Sequence, residues 1–513
     1  QTTRLKFIHY LAEALGLVQM IGGCLAPSPA ALGWLERPAV ERLRGDFSFV
    51  LWDGARRLFL AARDGMGVRP LYYASVPGGI CASNALDAVR AHPGVPNALH
   101  APAVVSFLQQ GWNRDTSTTT FGAVRRLPPG TLMRRGASDR DAAIITHWRM
   151  PDPAPLRYTR EEEYLEHYRA LLDEAVRDRI TGNTTILLSG GLDSTSIAAT
   201  AARVAPRERL FGLTTRISAV ESPDESRLAA AVAARLGMAH EVHEFGLAPL
   251  AGTFPRTPEP LDEPHLPAHA GLYRAMARRS PVVLQGEDGD ALFSPPSLRA
   301  MLRRYPMREV LGRVATYTVL NAHHPYMGFW LARRLGIMRA PKAPVRPPWL
   351  VSRAGPPAAE AERPPNAARP EAAQRLVGSI WQSVHQGLDR AFLGAPVEHR
   401  WPLLDTRLLE FVFAIPPIPW CQRKFLVRRA YARGLPGEVI GRPKTTVPGS
   451  FEFAVAEWRA RTGGSVPELH PQTAEFVDSG ILRETLHGGD TDTTMAGWRA
   501  LLLDRWLRDR EAA

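Results

Sequence analysis

The pattern of apolar and polar residues divides the chain into two parts. Up to about residue 150 the apolar runs are short and alternate with turn residues, and two of them, Phe47–Trp52 and Leu58–Ala62, flank the pair Asp53-Gly54. An Asp-Gly pair between such runs is a strong signal for a β-hairpin. The pattern therefore predicts a β-rich N-terminal domain over residues 1–155.

The pattern changes after the proline-rich segment Pro151–Leu156. Apolar residues recur at helical spacing within Glu161–Ile180. Short apolar runs then alternate with helical ones, with strands predicted at Thr185–Leu188, Leu210–Thr215 and Val282–Leu284 and helices at 194–204 and 225–236. This alternation predicts an α/β domain over residues 156–513, built on a doubly wound parallel sheet.

Residues 341–373 are dense in proline and alanine and show no apolar period, which indicates a long loop or a mobile segment. A helical region is predicted from Ala372 to the end of the chain, with breaks. No run of about 18 apolar residues suggests a membrane span, and no signal peptide is visible at the N-terminus.

Composition narrows the classes of protein. The three cysteines, Cys24, Cys81 and Cys421, form no CxxC pair, which excludes a disulfide scaffold or a cysteine zinc site and fits a reducing cytoplasm. The net charge is +12, but no dense Lys/Arg tract with interleaved aromatic residues occurs. We therefore expect scattered arginines and a local polyphosphate pocket rather than a nucleic-acid partner.

The first candidate site is the loop Ser189–Ser194, with the sequence SGGLDS, between a predicted strand and a predicted helix. Its two glycines allow a close backbone approach to an anion, and the helix N-terminus and serine hydroxyls supply donors. A pyrophosphate fits such a cradle. Asp193 would repel phosphate without a cation between them, so it is a candidate Mg²⁺ ligand. A glycine-rich turn with a capping serine is the alternative.

The second candidate site is Gly286–Asp290, with the sequence GEDGD, after another predicted strand. In open parallel sheets, ligands lie outside the carboxyl ends of the strands. We expect Asp290 to join Asp193 on Mg²⁺ and Glu287 to act as a general base. An acidic surface turn is the alternative.

Two later stretches add candidate residues. In Glu398–Asp405, apolar positions indicate packing onto the sheet, and Glu398 and Arg400 fit either a site or a structural ion pair. The cations that follow suit a developing phosphate or oxyanion charge, with a solvated basic helix face as the alternative: Lys424, Arg428, Arg429, Arg442 and Lys444.

Together and in this order, the motifs resemble the asparagine synthetase family. They are SGGLDS, VVLQGEDGDALF, EHRWPLLDTRLLEFVFAIP and KFLVRRAYARGLPGEVIGRPKTT, within a resemblance over about residues 45–510. The family activates a carboxylate with Mg-ATP to an acyl-adenylate, releases pyrophosphate and lets an amine attack. The resemblance implies a glutaminase-like (Ntn-type) domain followed by an ATP-pyrophosphatase-type synthetase domain.

The resemblance also implies roles for individual residues. Glu287 takes the proton of the incoming amine, Lys444 stabilises the oxyanion, and Asp193 and Asp290 hold Mg²⁺. The ATP and pyrophosphate site comprises Leu188, Ser189, Gly190, Gly191, Asp193, Ser194, Gly286, Lys424 and Arg442.

The N-terminal domain resembles the family's glutaminase domain through RDGMGVRPLYY at residues 63–73. That type of glutaminase needs an N-terminal Cys nucleophile, whereas the sequence begins with Gln1 and has no Cys before Cys24. We therefore expect a degenerate glutaminase-like domain and a nitrogen donor other than glutamine, unless the chain is truncated.

Two branches of the family use an amine of the substrate itself: β-lactam synthetases and lasso-peptide cyclases. Glu287 stands where β-lactam synthetases are expected to carry Tyr, and Ala291 follows Asp290 where asparagine synthetases are expected to carry Glu. Pro348-Trp349-Leu350 is a candidate wall of a larger peptide cavity. These details favour a cyclase that joins an Asp or Glu side chain of a precursor peptide to its N-terminal amine.

A cyclase of this kind implies a leader-binding protein and a leader peptidase as partners. The alternatives are an asparagine synthetase or a β-lactam-synthetase-like enzyme, a nucleotide- or tRNA-modifying ATP pyrophosphatase, and an inactive scaffold.

Overall fold

The structure is a computed structural model of the chain. It describes residues 18–21, 24–27, 40–139, 141–217, 223–246, 249–326, 346–360, 366, 369–443 and 450–511.

The strands in the described part are β1 (Val18–Ile21), β2 (Cys24–Pro27), β3 (Ser48–Asp53), β4 (Leu58–Arg63), β5 (Tyr72–Val76), β6 (Gly79–Ser83), β7 (Arg125–Arg126), β8 (Thr131–Gly136), β9 (Ala143–Thr146), β10 (Thr184–Leu187), β11 (Leu210–Ile217), β12 (Ala239–Phe245), β13 (Val282–Leu284) and β14 (Glu398–Arg400).

The α-helices are α1 (Leu86–Arg90), α2 (Ala101–Gln110), α3 (Glu161–Arg177), α4 (Leu192–Val204), α5 (Pro223–Leu236), α6 (Leu266–Arg279), α7 (Gly289–Leu292), α8 (Leu298–Arg304), α9 (Met307–Asn321), α10 (Pro370–Leu376), α11 (Ser379–Gly387), α12 (Arg390–Leu393), α13 (Thr406–Ala414), α14 (Pro417–Trp420), α15 (Phe425–Tyr431), α16 (Gly437–Gly441), α17 (Ser450–Thr462), α18 (Pro471–Ala474), α19 (Ser479–Gly488) and α20 (Thr491–Glu511). Short 3₁₀ turns lie at Arg207–Arg209, Ser352–Ala354, Pro402–Leu404 and Gln422–Lys424.

The N-terminal domain is β-rich, as the sequence predicts. One antiparallel sheet has the order β3-β4-β8-β9 and a second has the order β6-β5-β7. The predicted hairpin is β3–β4, in which Asp53 pairs with Leu58 across a four-residue turn. Asp53 closes this turn, because its Oδ1 accepts hydrogen bonds from the N–H groups of Ala55 and Arg56, each at 3.0 Å.

The second domain is built on a parallel sheet of five strands in the order β12-β11-β10-β13-β14. Val282–Leu284 is β13 with the predicted bounds, and the other predicted strands and helices differ from the observed ones by a few residues at their ends. The predicted doubly wound α/β architecture is confirmed by this sheet and its covering helices.

Helices cover both faces of the parallel sheet. Ile186 and Leu284 pack on one side with residues of α3, α4 and α13 in the largest apolar cluster. Leu213 and Val283 pack on the other side with Leu272 and Met276 of α6. Because both faces are covered, Ile186, Leu213, Val283 and Leu284 of the inner strands are buried, as expected for a parallel sheet.

The C-terminal helices do not pack on the parallel sheet alone. Trp458 of α17, Leu482 of α19 and Trp498 of α20 share an apolar cluster with Val104 and Phe107 of α2 in the N-terminal domain. The last helices therefore join the two sequence-defined domains through a common core.

Trp349 and Leu350 belong to this common core, with exposures of 0% and 3%. The carbonyl of Trp349 accepts a hydrogen bond from the Asp478 N–H at 2.8 Å. The expectation of a cavity wall is therefore wrong for Trp349 and Leu350, which the hydrophobic effect draws into the core, whereas Pro348 is exposed. Residues 346–360 otherwise form an irregular segment, as the sequence predicts for this loop.

Within the described residues, every helix is too short or too polar to cross a membrane.

Candidate active site

Two loops meet at the point where the order of the strands in the parallel sheet reverses, between β10 and β13. From β10 the chain builds outward through β11 and β12, and then returns to β13 on the opposite side of β10. Such a switch point opens a crevice at the carboxyl ends of the two central strands, where ligands bind in this class of sheet. The Ser189–Ser194 and Gly286–Asp290 loops follow β10 and β13 directly, so both predicted motifs lie at this crevice.

The first loop is tied together by its serines. Ser194 Oγ accepts a hydrogen bond from the Ser189 N–H at 3.2 Å and lies 3.2 Å from Ser189 Oγ. The Gly191 N–H donates to Ser189 Oγ at 3.3 Å. Helix α4 begins at Leu192, and the first N–H groups of a helix lack intrahelical partners. The N–H groups at the start of α4 are therefore the donors that the loop presents to the crevice.

Gly190 has no room for a side chain. Its φ is +67°, and a Cβ atom built there would lie 2.7 Å from the carbonyl oxygen of Glu225. The side chain of the same Glu225 contacts Arg442, with Arg442 Nη2 3.4 Å from Oε1. Glu225 thus links the loop to Arg442, a predicted member of the phosphate site from much later in the sequence.

The second loop lies directly against the first. A Cβ on Gly286 would be 2.7 Å from Ser194 Cα, and a Cβ on Gly289 would be 2.4 Å from Asp193 Cγ. Glycine at these two positions therefore allows the two loops to touch. The contact explains why the second motif needs small residues on either side of its acids.

The carboxylates of Asp193 and Asp290 converge on one cation. Lys424 Nζ contacts Asp193 Oδ2 and lies 2.6 Å from Asp290 Oδ1. Lys424 reaches this position from the start of α15 with a φ of +56°. The ammonium group lies between two acids of separate loops, as a divalent cation would.

The residues at the crevice fit ATP and Mg²⁺. A Cβ at Gly190 would collide with α5, so the loop follows this path only with glycine, and the N–H donors at the start of α4 suit a polyphosphate. The described residues contain no group of three or more His, Cys, Asp or Glu side chains placed to hold a metal. Mg²⁺ commonly takes one or two carboxylates and completes its shell with substrate phosphates and water, which matches the pair Asp193 and Asp290.

Glu287 lies on the solvent side of the second loop. Its side chain is accessible to solvent, but neighbouring protein atoms partly desolvate the carboxyl. This partial desolvation raises the pKa of the Glu287 carboxyl, the charge of Asp288 raises it further, and His385 opposes the shift. A carboxylate with a raised pKa in a ligand crevice suits a general base.

Asp288 points to the protein side of the same loop and was not predicted as a site residue. Its φ is +70° and its exposure is 4%. Asp288 Oδ2 lies 3.9 Å from Nε2 of His385, which is 1% exposed. No sequence signal marks His385, because it lies on α11 and far along the chain.

A second buried histidine lies near this loop. His399 Nδ1 is 2.6 Å from Gln285 Nε2, and its ring is 6.2 Å from that of Trp401. Burial lowers the pKa of His399 to about 3, the charge of Arg69 adds to this effect, and Glu398 opposes it. His399 is therefore neutral at physiological pH and accepts the Gln285 hydrogen bond.

The remaining predicted residues have varied surroundings. Leu188 is buried, and its carbonyl accepts a hydrogen bond from Thr214 Oγ1 at 2.7 Å, so only its backbone belongs to the loop. Glu398 pairs with Arg400 at 2.9 Å and with Arg69 of the N-terminal domain at 2.6 Å. The structural ion pair, one of the two alternatives for Glu398 and Arg400, is what the structure contains.

The basic segment also divides into different roles. Arg429 Nε lies 2.6 Å from Glu161 Oε1 at the surface. Arg428 instead donates to the carbonyl of Arg442 at 2.8 Å, which ties the segment before residue 444 to α15. Lys444 itself lies outside the described residues.

The family models that match the chain agree with this division. A model described as asparagine synthase matches residues 167–508, and a model described as glutamine amidotransferase domain matches residues 32–148. The first covers the parallel sheet, both crevice loops and the C-terminal helices.

Curated proteins with similar sequences include asparagine synthetases and an amidase. A Mycobacterium tuberculosis protein named "Putative asparagine synthetase (glutamine-hydrolyzing)" is 27% identical over 514 residues, covering 91% of this chain and 77% of the relative. Asparagine synthetase 3 of Bacillus subtilis is 28% identical over 172 residues, covering 33% of this chain and 27% of the relative. Amidase chyE of Penicillium rubens is 34% identical over 163 residues, covering 31% of this chain and 23% of the relative.

Proposed function

We propose, from the premise that this chain belongs to the asparagine synthase family, that it activates a side-chain carboxylate of a peptide with ATP. It then joins that carboxyl to the N-terminal amine of the same peptide, closing a macrolactam. The products besides the ring are AMP and pyrophosphate. The coarser activity, ATP-dependent formation of a carbon–nitrogen bond, follows from the family.

One observation carries the proposal: acids from two separate loops meet at one cation in the switch-point crevice. Asp193 and Asp290 both contact Lys424 Nζ. Such an arrangement concentrates negative charge beside a phosphate cradle, and this arrangement is stable only with a cation present. Asp193 and Asp290 would hold Mg²⁺ there, and the ion would supply positive charge to neutralise the polyphosphate.

We assign the remaining steps of the reaction to side chains and backbone groups of the protein. The donors of the Ser189–Ser194 loop and Arg442 orient the polyphosphate, so that its α-phosphorus faces the carboxylate. Glu287 accepts the proton that the amine loses as it attacks. We assign Lys444 to the oxyanion on the basis of its place in the resembling segment.

The residue that follows Asp290 supports the proposed substrate class, because it is not a carboxylate. Ala291, which follows Asp290, is buried with 1% exposure. The carboxylate expected at that position in asparagine synthetases is therefore absent here, and this supports a substrate other than aspartate. Glu287, in place of the Tyr expected in β-lactam synthetases, supports the peptide branch.

Partners and location belong to the same proposal. A precursor peptide would reach this enzyme through a leader-binding protein, and a leader peptidase would free the amine. The free cysteines of the described part, Cys81 and Cys421, suit a reducing cytoplasm.

Product analysis tests the reaction type. The chain is incubated with Mg-ATP and a panel of acidic peptides with free N-termini, and nucleotides are separated by chromatography. We expect AMP and pyrophosphate, and Asp193→Asn is expected to lower their formation by about 100- to 1000-fold because it removes stabilisation of developing charge. Asp173→Asn is the matched control, since Asp173 pairs with Arg203 on the surface. ADP as the product would overturn the proposal.

Mass spectrometry tests the substrate class in the same reactions. A macrolactam weighs one water molecule less than its linear peptide and resists aminopeptidase. Formation of asparagine from aspartate and ammonia, with no ring in any peptide, would replace the peptide proposal with the asparagine synthetase alternative.

A further inference from the structure

Helix α11 connects the N-terminal domain to the active-site loop. On one side it contacts the N-terminal domain at two points. Trp112 Nε1 donates to Ser379 Oγ at 3.2 Å. Arg63 Nη2 donates to Gln382 Oε1 at 3.0 Å, and Gln382 Nε2 donates to the carbonyl of Met66 at 2.8 Å.

The contact at Gln382 is a fixed joint. Arg63 is 0% exposed, and its other donors are occupied by the carbonyls of Arg69 and Leu127, each at 2.8 Å. Gly67 has a φ of +66°, and a Cβ there would lie 2.5 Å from Gln382 Oε1. Arg63 and Gln382 therefore have no space to move, because the donors of Arg63 are hydrogen-bonded and Gln382 is in van der Waals contact with Gly67.

A third contact lies one helical turn further on. Gln386 Nε2 donates to Glu259 Oε2. Glu259 in turn pairs with Arg126 Nη2 at 2.8 Å and accepts from the Thr120 N–H at 2.6 Å, both in the N-terminal domain. Ser379, Gln382 and Gln386 have the i, i+3, i+7 spacing of one helix face. Helix α11 is therefore tied to the N-terminal domain directly at Ser379 and Gln382, and through Glu259 at Gln386.

His385 lies next to that face and points to the loop. Its Nε2 is 3.9 Å from Asp288 Oδ2, and its ring centroid is 4.7 Å from that of Trp401. Among the described residues, neither carboxylate oxygen of Asp288 and neither ring nitrogen of His385 has a hydrogen-bond partner. Burying a carboxylate without a partner is strongly unfavourable, so each group is the other's available partner.

We propose that His385 is a positioning residue that anchors Asp288, and that the N-terminal domain sets its position through α11. Asp288 lies between Glu287 and Asp290, so its anchor determines where those two carboxylates meet the substrate and the metal. The N-terminal domain then has a role in the ligase reaction that does not require it to hydrolyse glutamine. This inference rests on the proposed function for its kinetic consequence, but not for its structural one.

The test breaks the joint at Gln382 and leaves the crevice intact. Gln382→Leu removes both hydrogen bonds, and Gln374→Leu on α10, an exposed position, is the matched control. Hydrogen exchange of amides 286–292 is measured without substrate, and we expect faster exchange in Gln382→Leu alone. Unchanged exchange there, or an increase spread equally over β10, β13 and α4, would overturn the proposal.

Kinetics with the holoenzyme complete the test. We expect Gln382→Leu to lower the rate of AMP formation by about 10- to 100-fold, the size of effect that a shift of about 1 Å in a catalytic group produces, with ATP affinity unchanged. His385→Asn keeps a donor toward Asp288 and is expected to retain more activity than His385→Ala. Equal loss in both would overturn the anchoring role.

The two proposals fail in different ways. If the unmodified chain forms no AMP with any carboxylate substrate, the proposed function fails, while the exchange measurement still decides the role of α11. If the unmodified chain is active and Gln382→Leu matches it in rate and exchange, only the role of α11 fails.

Discussion

The two sides of the Gly286–Asp290 loop have opposite electrostatic surroundings. On the solvent side, Asp290 and Asp193 share the charge of Lys424. On the protein side, Asp288 is 4% exposed and its nearest basic group, His385, is 3.9 Å away. Acids two positions apart therefore differ in both solvation and pairing.

This difference shows how one short loop serves two purposes. Partly solvated carboxylates can exchange one cation for another at small cost, which suits a site that binds and releases Mg-nucleotide. A buried carboxylate cannot, because removal from water is costly unless a partner stays in place. We infer that the solvent side performs the chemistry and the protein side holds the loop.

The largest expected effect is on the solvent side. Glu287→Gln is expected to lower the rate of product formation by about 100- to 10,000-fold, because it removes a general base. ATP consumption should fall less than product formation. Rates of both are measured by quenched reactions with the peptide that cyclises best.

The pH profile sharpens this prediction. Glu287 must be ionised to accept a proton, and partial desolvation of its carboxyl, together with the charge of Asp288, raises its pKa. Activity is therefore expected to fall on acidification at a pH above the ordinary glutamate value of 4.5, and the Gln variant should lack this limb. A profile unchanged by the substitution would remove Glu287 from the mechanism.

The buried His399, which contacts Gln285 just before the loop, is tested by stability rather than by rate. The pKa of His399 is lowered to about 3 from an ordinary value of 6.5. Between these values the unfolded chain takes up a proton that the folded chain does not, so this residue makes folding less stable as pH falls from 6.5 toward 3, by about 1.4 kcal/mol per pH unit.

His399→Gln is expected to remove that dependence. Urea unfolding at pH 7 and pH 5 should show a smaller loss of stability on acidification in His399→Gln than in the unmodified chain, by about 2 kcal/mol. His487→Gln, at an exposed position on α19, is the control. Equal losses in all three proteins would contradict the burial of a neutral His399.

The smallest expected effect comes from alanine at Gly190 or Gly182. The comparison distinguishes the cost of backbone strain from a loss of phosphate binding. Gly190 and Gly182 have similar φ angles, +67° and +65°, but only Gly190 has neighbours within 4 Å of a built Cβ. Alanine at Gly182 is expected to cost about 1–2 kcal/mol of stability, and alanine at Gly190 is expected to cost more, because its Cβ would also lie 2.7 Å from the carbonyl oxygen of Glu225. Only Gly190→Ala should weaken ATP binding, by about tenfold, in calorimetric titrations.

Much of the fold could be predicted because it depends on local patterns. The Asp53-Gly54 turn and the strand Val282–Leu284 are encoded by neighbours within a few residues. The SGGLDS and GEDGD motifs were expected to meet because the carboxyl ends of adjacent parallel strands lie together. The structure agrees with that expectation at Gly289, which lies against Asp193.

Other features had no local signal. Trp349 lies in a proline-rich stretch that has no apolar period, yet it is fully buried against helices from both ends of the chain. The bridge of Lys424 between two acids could not be predicted either, because basic helices more often face solvent.

The sequence by itself determined the family, the α/β architecture and the phosphate loop, since these depend on short motifs whose spacing sets their geometry. Only the tertiary structure decided which residues contact the buried side of the Gly286–Asp290 loop. Arg63 and Gln382 are 319 positions apart, and His385 lies on a helix far along the chain from Asp288, which it approaches to 3.9 Å. Such contacts depend on how distant parts of the chain pack, and no local sequence pattern predicts them.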